Sequence, residues 1–245
     1  MILLKLRKLL FTLTRPRYWP ALMHSCAPSL EHRAIIKHKP WATLIDVGAN
    51  RGQFTLLALG QNPSLKIFAF EPLRDAAAVY RKIFRHAENT TLYDYALGST
   101  ETSNILNISR KNDSSSILPI SEKQVAMFPG TEKVGMQKVA VRRLDGVICE
   151  DDVKQPSLLK IDVQGFELEV LKGAENLFNV IDDIYVEVSF VELYTGQPLV
   201  TDIVTYLSYH DFKLTGVHNV CYAGNGLSIQ ADMRFSRNTH AAEGR

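Results

Sequence analysis

The chain has 245 residues, of which 46% are hydrophobic and 22% are charged, and its formal net charge is +2. This composition is typical of a globular protein, and it excludes a disordered or fibrous chain. The net charge is small and no basic stripe is interleaved with aromatic residues, so we expect no nucleic acid partner. The length predicts one domain, with room for an insertion.

The cysteines are few and far apart. They are Cys26, Cys149 and Cys221, and no Cys-x-x-Cys pair occurs. An odd number at this spacing argues against a disulfide framework and against a structural zinc site. We therefore expect ordinary core or surface thiols and a cytoplasmic, reducing environment.

Residues 1–40 form a predicted N-terminal extension. Within Met1–Leu13 the basic residues lie off one apolar helical face, which predicts an amphipathic helix; that face consists of Ile2, Leu3, Leu6, Leu9, Leu10 and Leu13. The segment is too short and too charged to span a membrane, and it lacks a signal-peptide cleavage site. Two interpretations stay open: the helix packs on the body of the protein or on a second subunit, or it makes peripheral contact with an anionic membrane.

The rest of the extension is rich in proline, histidine and tryptophan, with one or two helical turns predicted over Leu30–Ile36. Its histidines, His24, His32 and His38, show neither metal-like spacing nor a partnered carboxylate pattern. We expect each of them to be a surface or packing residue.

A strand, a glycine turn and a helix follow over Trp41–Leu59. The apolar run up to Val47 suits a strand buried on both faces, with Asp46 near its carboxyl end. Gly48 and Gly52 remove side chains where the backbone must turn and approach a ligand. The spacing Asp-x-Gly-x-x-x-Gly differs from the dinucleotide fingerprint, and the acid would repel a phosphate. A cationic ligand such as S-adenosylmethionine fits better; an ordinary glycine-rich turn is the alternative.

A second strand is predicted over Leu65–Phe70, ending at Glu71 and Pro72. A carboxylate at this strand tip is placed to hold a ribose diol, because its two oxygens accept both hydroxyl hydrogens. Pro72 stops the strand and stiffens the loop that aims Glu71. An exposed strand-end acid is the alternative.

A helix over Arg74–Arg85 and a third strand over Thr90–Tyr95 continue the alternation. This order of strands and helices requires a parallel sheet with right-handed crossovers. The tip at Tyr95 and Ala96 is expected beside an adenine ring, if one is bound.

The regular alternation breaks off at about residue 103. Ser103–Ser109 and Gln137–Arg143 alternate like antiparallel strands, and a long polar segment joins them. Such a loop inside a compact domain is usually functional or disordered. We interpret residues 103–143 as a hairpin insertion that carries a lid over the pocket; a tolerated surface insertion is the open alternative.

The second half repeats the pattern of buried strand, glycine turn and helix over Ser157–Glu167. Asp162 lies at the carboxyl end of this strand, where open parallel sheets gather their chemistry. The next strand, Ile184–Ser189, carries Glu187 near its end, so a doubly wound sheet would bring Asp162 and Glu187 to the rim of one pocket. The remaining predicted segments are a helix over Leu199–His210, strands over Phe212–Val217 and Leu227–Met233, and a frayed tail at 237–245, which leaves 41–236 as the domain.

Together these blocks resemble the FkbM family of S-adenosylmethionine-dependent methyltransferases over roughly Leu44–Val217. The specific part is KIDVQGFELEVLKGA from Lys160 to Ala174 followed by Val186 and Glu187; the first glycine block alone would indicate only a class I methyltransferase. The other matching blocks are DVGANRGQFT from Asp46, Phe70-Glu71-Pro72, Ala96-Leu97-Gly98, the Asp113–Ser116 loop and Arg143-Leu144-Asp145.

The resemblance implies an α/β fold: a class I methyltransferase (Rossmann-like) seven-stranded sheet, with the β-hairpin insertion and N-terminal helical extension added. It also implies methyl transfer from S-adenosylmethionine to a hydroxyl, often on a sugar or natural product. By position, the cofactor residues would be Asp46, Gly48, Asn50 and Gly52 at its amino-acid end, Glu71 at the ribose and Ala96 at the adenine edge.

The function expected from these features is O-methylation of a sugar, glycan or natural-product acceptor. A sugar hydroxyl is weakly acidic, so we expect Asp162 to act as the base or to orient the hydroxyl, with Lys160 and Glu187 as second candidates. Asp162 and Glu187 could offer oxygen ligands to magnesium, but a metal is not predicted.

Two rival functions stay open: a catalytically silent S-adenosylmethionine-binding or scaffold protein, and a methyltransferase acting on an amine or a protein. An Asn/Asp-Pro-Pro-Tyr type motif would favour the amine, whereas the chain reads Asp162-Val163-Gln164-Gly165 at that position. A homo-oligomer is compatible with the sequence but is not specified by it.

Overall fold

The computed structural model describes residues 8, 10–15 and 18–238. Most of the amphipathic segment predicted over Met1–Leu13, and nearly all of the predicted tail, therefore lie outside the described residues. The described end of the first segment contacts the body of the protein: Thr12 is fully buried, and Phe11 packs against the core cluster that contains Leu44 and Leu57.

The main sheet has seven strands in the order β3-β2-β1-β7-β8-β10-β9. Its strands are β1 (Thr43–Val47), β2 (Lys66–Phe70), β3 (Thr90–Tyr93), β7 (Ser157–Ile161), β8 (Asp183–Ser189), β9 (Phe212–Tyr222) and β10 (Ser228–Arg237). Neighbouring strands are parallel from β3 to β8, while β10 runs antiparallel to both β8 and β9. The carboxyl ends of β1, β2, β7 and β8 therefore meet along one edge.

The central strands are apolar on both faces because helices cover both faces of the sheet. Every residue of β1 and of β7 is buried. The α-helices are α1 (Trp19–Leu22), α2 (Arg33–His38), α3 (Gln53–Gln61), α4 (Arg74–Ile83), α5 (Glu122–Met127), α6 (Glu167–Lys172) and α7 (Val200–Tyr209). Short 3₁₀ turns occupy Leu30–His32, Asn112–Ser114, Leu144–Gly146, Glu150–Asp152 and Glu175–Val180.

A smaller sheet of three strands lies beside the main one, in the order β4-β6-β5. Its strands are β4 (Ala96–Leu97), β5 (Thr102–Ser109) and β6 (Lys133–Arg142). The predicted antiparallel pairing within the insertion is confirmed, since β5 and β6 run antiparallel. The expected third strand is corrected: it ends at Tyr93, and Ala96 pairs with Val141 of the smaller sheet.

The last two strands are longer than predicted. They reach Tyr222 and Arg237, not Val217 and Met233, because they pair with each other as a long antiparallel hairpin at the sheet edge. Edge residues face solvent on one side, so their mixed polarity hides the strand pattern. Among the described residues, no helix combines the length and apolar character that crossing a membrane requires.

Candidate active site

A cavity of about 280 Å³ opens at the carboxyl ends of β1, β2 and β7. Its walls come from the N-terminal extension, the turn after β1 with the start of α3, the tip of β2, the start of the smaller sheet, and the end of β7 with the turn that follows it. The insertion adds Leu106, Asn112, Asp113, Ser115 and Ile117 to the wall. The cavity lies where an open parallel sheet binds its ligands.

The first glycine turn brings the backbone against the turn that follows β7. Gly48 has φ +75°, and a Cβ at this position would lie 1.8 Å from the carbonyl oxygen of Asp162. Asn50 has φ +49°, a left-handed conformation that asparagine tolerates better than most residues. Gly48 and Asn50 both line the cavity, as the sequence predicted.

Gly52 and Asp46 are placed differently from the expectation that they line the ligand, because neither belongs to the cavity wall. Gly52 has φ +91°, and a Cβ there would lie 2.3 Å from the Phe84 ring. This glycine lets α3 begin and pack against α4. Asp46 is fully buried behind the wall, where it accepts a hydrogen bond of 2.8 Å from Thr55 Oγ1. Their contribution to the cavity is therefore indirect.

Glu71 is buried at the tip of β2, only 7% exposed, and it lines the cavity. Its Oε2 accepts the backbone N–H of Asn50 at 2.8 Å, and its Oε1 accepts that of Leu73 at 2.7 Å. Burial raises the pKa of this carboxyl to about 7, against the effect of the two backbone hydrogen bonds. Each oxygen keeps a further lone pair, so a vicinal diol can donate one hydrogen bond to each.

An apolar slot lies next to Glu71. Ala96 is 7% exposed and lines the cavity together with Phe70, Tyr95 and Leu97. The Phe70 and Tyr93 rings stack at 4.8 Å, which holds this wall rigid from behind. Such a slot suits a flat aromatic ring, and the role of Ala96 at an adenine edge stays a prediction.

Lys160 lines the cavity, and its ammonium is held by the first glycine turn and by Asp46. Its ammonium donates to the carbonyl oxygens of Gly48 at 2.9 Å and Val47 at 3.2 Å, and lies 3.3 Å from Asp46 Oδ1. Burial alone would lower the pKa of Lys160, but the carboxylates of Asp46 and Asp162 outweigh it and raise the pKa. Lys160 is thus a charged group that ties the glycine turn to β7, and it is not suited to accept a proton.

Asp162 and Glu187 are joined by one amide. Gln164 Nε2 donates to Asp162 Oδ1 at 2.8 Å and to Glu187 Oε2 at 2.7 Å. The predicted neighbourhood of the two acids is confirmed, because β7 and β8 are adjacent. Only Asp162 reaches the cavity, with a side chain that is 38% exposed; Glu187 lies outside the wall. Burial and the nearby charges of Asp162 and Asp232 raise the pKa of Glu187.

The position of Gln164 is set by its own backbone and by the insertion. Gln164 has φ +57°, and its carbonyl oxygen accepts a hydrogen bond of 2.6 Å from Ser116 Oγ. Its side-chain Oε1 accepts the hydroxyl of Tyr194 at 2.8 Å. The side-chain amide of Gln164 donates to two carboxylates and accepts from one hydroxyl. These partners fix which end of the amide is nitrogen and which is oxygen.

Glu167 supports the same turn from below. Its Oε1 accepts the backbone N–H groups of Gly165 at 2.9 Å and Val163 at 3.3 Å. Burial raises the pKa of Glu167 to about 7. The carboxylate thus satisfies donors at the start of α6, as acids near a helix N-terminus do.

Sequence reasoning missed two groups of cavity residues. The sequence motif contains Gln164 but does not by itself predict its contact with Asp162. Its place two residues after Asp162 at the strand tip is a signal that could have indicated this contact. His32 was expected to be a packing or surface residue, yet it lines the cavity together with Lys8, Ser29 and Glu31. No local pattern identifies these four, because they reach the cavity only through the packing of the extension on the sheet.

The cavity residues fit the cofactor implied by the sequence. A diol acceptor at Glu71, an apolar slot at Ala96 and a side-chain-free turn at Gly48 follow one another along the wall. For a metal, the described part of the chain contains no group of three or more His, Cys, Asp or Glu residues that could hold an ion. The gap between Asp162 and Glu187 is filled by the Gln164 amide.

Comparison with known proteins decides the family. The family model described as "Methyltransferase FkbM domain" matches residues 46–214 of the chain. The chain belongs to this family. It is therefore an S-adenosylmethionine-dependent methyltransferase, and the seven-stranded fold expected of class I methyltransferases is confirmed.

Three relatives of this FkbM-family chain are named methyltransferases. The 2-O-methyltransferase NoeI of Sinorhizobium fredii is 28% identical over 174 residues, which cover 68% of this chain and 72% of the relative. The 31-O-demethyl-FK506 methyltransferase FkbM of Streptomyces tacrolimicus is 26% identical and covers 82% and 86%. The hexuronic acid methyltransferase AglP of Haloferax volcanii is 30% identical and covers 59% and 55%.

Proposed function

We propose that this FkbM-family enzyme methylates a hydroxyl group of a sugar, glycan or natural-product acceptor. The observation that carries the proposal is the Asp162 carboxylate, which reaches the cavity and is held there by the Gln164 amide at 2.8 Å. NoeI is named a 2-O-methyltransferase, FkbM a 31-O-demethyl-FK506 methyltransferase and AglP a hexuronic acid methyltransferase. These names support an oxygen nucleophile and a sugar-like acceptor.

The donor site in this proposal extends from Glu71 to the turn after β1. Glu71 would accept the two ribose hydroxyls, and the slot at Ala96 would take the adenine. Gly48 and Asn50 would border the amino-acid end, with Asp46 and Gly52 shaping the turn from behind. The bound sulfonium supplies an activated methyl group for direct transfer to a nucleophile.

The acceptor hydroxyl in this proposal is placed by Asp162. Its oxygen must approach the methyl group in line, so a fixed carboxylate that accepts the hydroxyl hydrogen contributes by orientation. The same carboxylate can take the proton as the new carbon–oxygen bond forms. Glu187 and Lys160 are positioning residues in this scheme, since one holds Gln164 and the other holds the glycine turn.

The insertion is proposed to cover the acceptor. Five residues of the 103–143 segment line the cavity, and Ser116 Oγ bonds the carbonyl oxygen of Gln164 at 2.6 Å. This contact couples the insertion to the residue that holds Asp162. A wall of this kind excludes water from the reacting groups, which strengthens their electrostatic interactions.

The test is an acceptor screen with methyl-labelled S-adenosylmethionine and the full chain. Glycans and glycolipid intermediates from the source cell are supplied alongside amine and protein acceptors, and products are separated by mass spectrometry. We expect label in an ether linkage on a hydroxyl-bearing acceptor. Label found only on amines or protein, or no transfer to any acceptor despite measurable binding of S-adenosylhomocysteine, would overturn the proposal.

A further inference from the structure

We propose that His32 forms a hydrogen-bonding subsite for a second hydroxyl of the acceptor, apart from the ribose-binding end of the cavity. This inference rests on the proposed function, because it takes the acceptor to be a compound with several hydroxyl groups. His32 precedes the residues that the family model matches, which begin at position 46. The subsite would therefore be a specificity device contributed by this chain's own N-terminal extension.

His32 lies on the acceptor side of the cavity. Its ring lines the same cavity as Asp162 and packs edge-on against Tyr185, with centroids 5.7 Å apart. Tyr185 is the register partner of Lys160, and Asp232 is the register partner of Glu187. Side chains of register partners share one face of a sheet. His32 is thus held on the face that also carries Lys160 and Glu187.

The same contacts separate His32 from the ribose-binding end. Glu71 follows β2, whereas Tyr185 belongs to β8, which lies three strands farther along the sheet order. At about 4.8 Å per strand, the two sites are roughly 14 Å apart across the sheet. A nucleoside at Glu71 and a hydroxyl at His32 therefore occupy different parts of the cavity.

The imidazole is oriented by a short relay. His32 Nδ1 lies 3.0 Å from the Tyr185 hydroxyl and 3.4 Å from Asp232 Oδ2. Asp232 is also bonded by the Asn219 amide at 2.7 Å. The Asn219 amide nitrogen also lies 3.4 Å from Nδ1, so this nitrogen has both donor and acceptor partners that hold the ring in place.

These contacts use Nδ1 and leave Nε2 for a ligand. Among the described residues, His32 Nε2 has no hydrogen-bond partner, and Glu31 Oε1 is 4.0 Å away. A hydroxyl both donates and accepts hydrogen bonds, so it can pair with Nε2 whether this nitrogen carries a proton or a lone pair.

Two neighbouring polar atoms lack partners in the same wall. Ser29 is 6% exposed, and its Oγ has no hydrogen-bond partner within the described part of the chain. The same is true of Glu31 Oε2, while Glu31 Oε1 takes the Lys8 ammonium at 2.8 Å. Buried polar groups are normally hydrogen-bonded, so unpartnered oxygens beside a cavity point to a ligand with donors. Together with His32 Nε2 they give this wall several polar atoms without partners, which matches a polyhydroxylated compound.

The test measures binding and does not require turnover. The full chain is saturated with S-adenosylhomocysteine and titrated with a panel of neutral methyl pyranosides, followed by ligand-observed NMR. We expect at least one pyranoside to bind, with affinity that falls about fivefold or more in His32→Ala, the effect of one lost hydrogen bond. His32→Gln keeps a hydrogen-bonding amide near the Nε2 position and should retain more of the affinity.

His86→Ala is the matched control, because His86 is exposed and lies outside the cavity. It should leave pyranoside affinity unchanged, and S-adenosylhomocysteine affinity should be the same in all variants. Tyr185→Phe removes the Nδ1 partner with little change of shape, and should weaken pyranoside binding even if His32→Ala folds poorly.

Three results would overturn the subsite: no pyranoside binds the unmodified chain, pyranosides bind His32→Ala equally well, or the loss in His32→Ala is in S-adenosylhomocysteine affinity instead. A separate failure of the proposed function is recognisable. Pyranoside binding that depends on His32, together with no transfer of label to any hydroxyl in the acceptor screen, would leave the subsite standing and reject the reaction.

Discussion

The ammonium of Lys160 lies 3.3 Å from the buried Oδ1 of Asp46. This pair ties β7 to β1 directly beneath the glycine turn, because Lys160 also donates to the carbonyl oxygen of Gly48. A buried ion pair of this kind is costly to break, since removal of one partner leaves the other charge unpaired.

Lys160→Met should therefore destabilise the fold. We expect the free energy of unfolding in urea at pH 7 to fall by about 3–5 kcal/mol, because the Asp46 carboxylate stays buried without its countercharge. Lys138→Met, at an exposed position, should change it by less than about 0.5 kcal/mol. The double variant Asp46→Asn with Lys160→Met should recover part of the loss. A loss below about 1 kcal/mol in the single variant would contradict the structural role.

Asp162→Asn should remove turnover while leaving the donor site intact. Loss of the base or orienting carboxylate is expected to lower kcat by about 10²-fold or more. The binding free energy of S-adenosylhomocysteine, measured by calorimetry, should change by less than about 1 kcal/mol. Asp151→Asn, at an exposed position away from the cavity, serves as the control. Full activity in Asp162→Asn would reject the assignment.

Gln164→Met tests whether the Gln164 amide positions the Asp162 carboxylate for catalysis. The substitution keeps most of the side-chain volume but removes the amide that holds Asp162 and Glu187, so kcat should fall about 10- to 100-fold. The free energy of unfolding should fall by about 1–3 kcal/mol, because three hydrogen bonds to Gln164 are lost. Gln61→Met, at the exposed end of α3, should change neither quantity. Unchanged kcat would show that Asp162 is held by other means.

Cofactor affinity should depend on the ionisation of Glu71. Its pKa of about 7 in the folded chain means that the carboxylate, which accepts two diol hydrogens, forms as the pH rises through neutrality. We expect the affinity for S-adenosylhomocysteine to increase about tenfold between pH 6 and pH 8, in proportion to the ionised fraction. Glu71→Gln should bind more weakly at pH 8 and lose this dependence. A flat profile in the unmodified chain would argue against Glu71 as the ribose acceptor.

The same raised pKa has a consequence for stability. Folding favours the protonated carboxyl, so the folded chain binds more protons than the unfolded chain between pH 4.5 and about 7. The contribution of Glu71 to stability is therefore complete below pH 4.5 and is lost as the pH rises through about 7. Glu71→Gln should remove this component from the pH dependence of urea unfolding.

Gly48→Ala should be far more damaging than alanine at other glycines. A Cβ at Gly48 meets the Asp162 carbonyl oxygen at 1.8 Å and the residue has φ +75°. Gly196 has φ +78° with open space around it. Gly224 also has open space around it, and its φ is not positive. We expect a loss of about 1–2 kcal/mol for Gly196→Ala, near zero for Gly224→Ala, and more than about 3 kcal/mol for Gly48→Ala. Equal losses at Gly48 and Gly196 would show that the backbone relieves the clash.

Much of this protein could be predicted from local patterns. The strands ending at Val47, Phe70 and Ile161 are short apolar runs followed by an acid or a glycine turn, and their order alone implies a parallel sheet. That is why Glu71 and Asp162 could be placed at one edge before any coordinates were known. The family motifs include those same strand tips, so the resemblance also predicted the methyl-transfer chemistry.

Tertiary structure decided which of these residues face the cavity. Asp46 and Gly52 belong to the glycine motif, yet one pairs with Lys160 behind the wall and the other packs against Phe84. The alternation of side chains along a strand specifies which residues lie on the same face, but it does not specify which element of the chain covers that face. The covering element here is the N-terminal extension, whose His32 reaches Tyr185 across 153 positions of sequence. Contacts at such separation arise from packing of whole elements, so a local pattern predicts the strand tips that line the cavity, and only the folded chain shows that the N-terminal extension lines it as well.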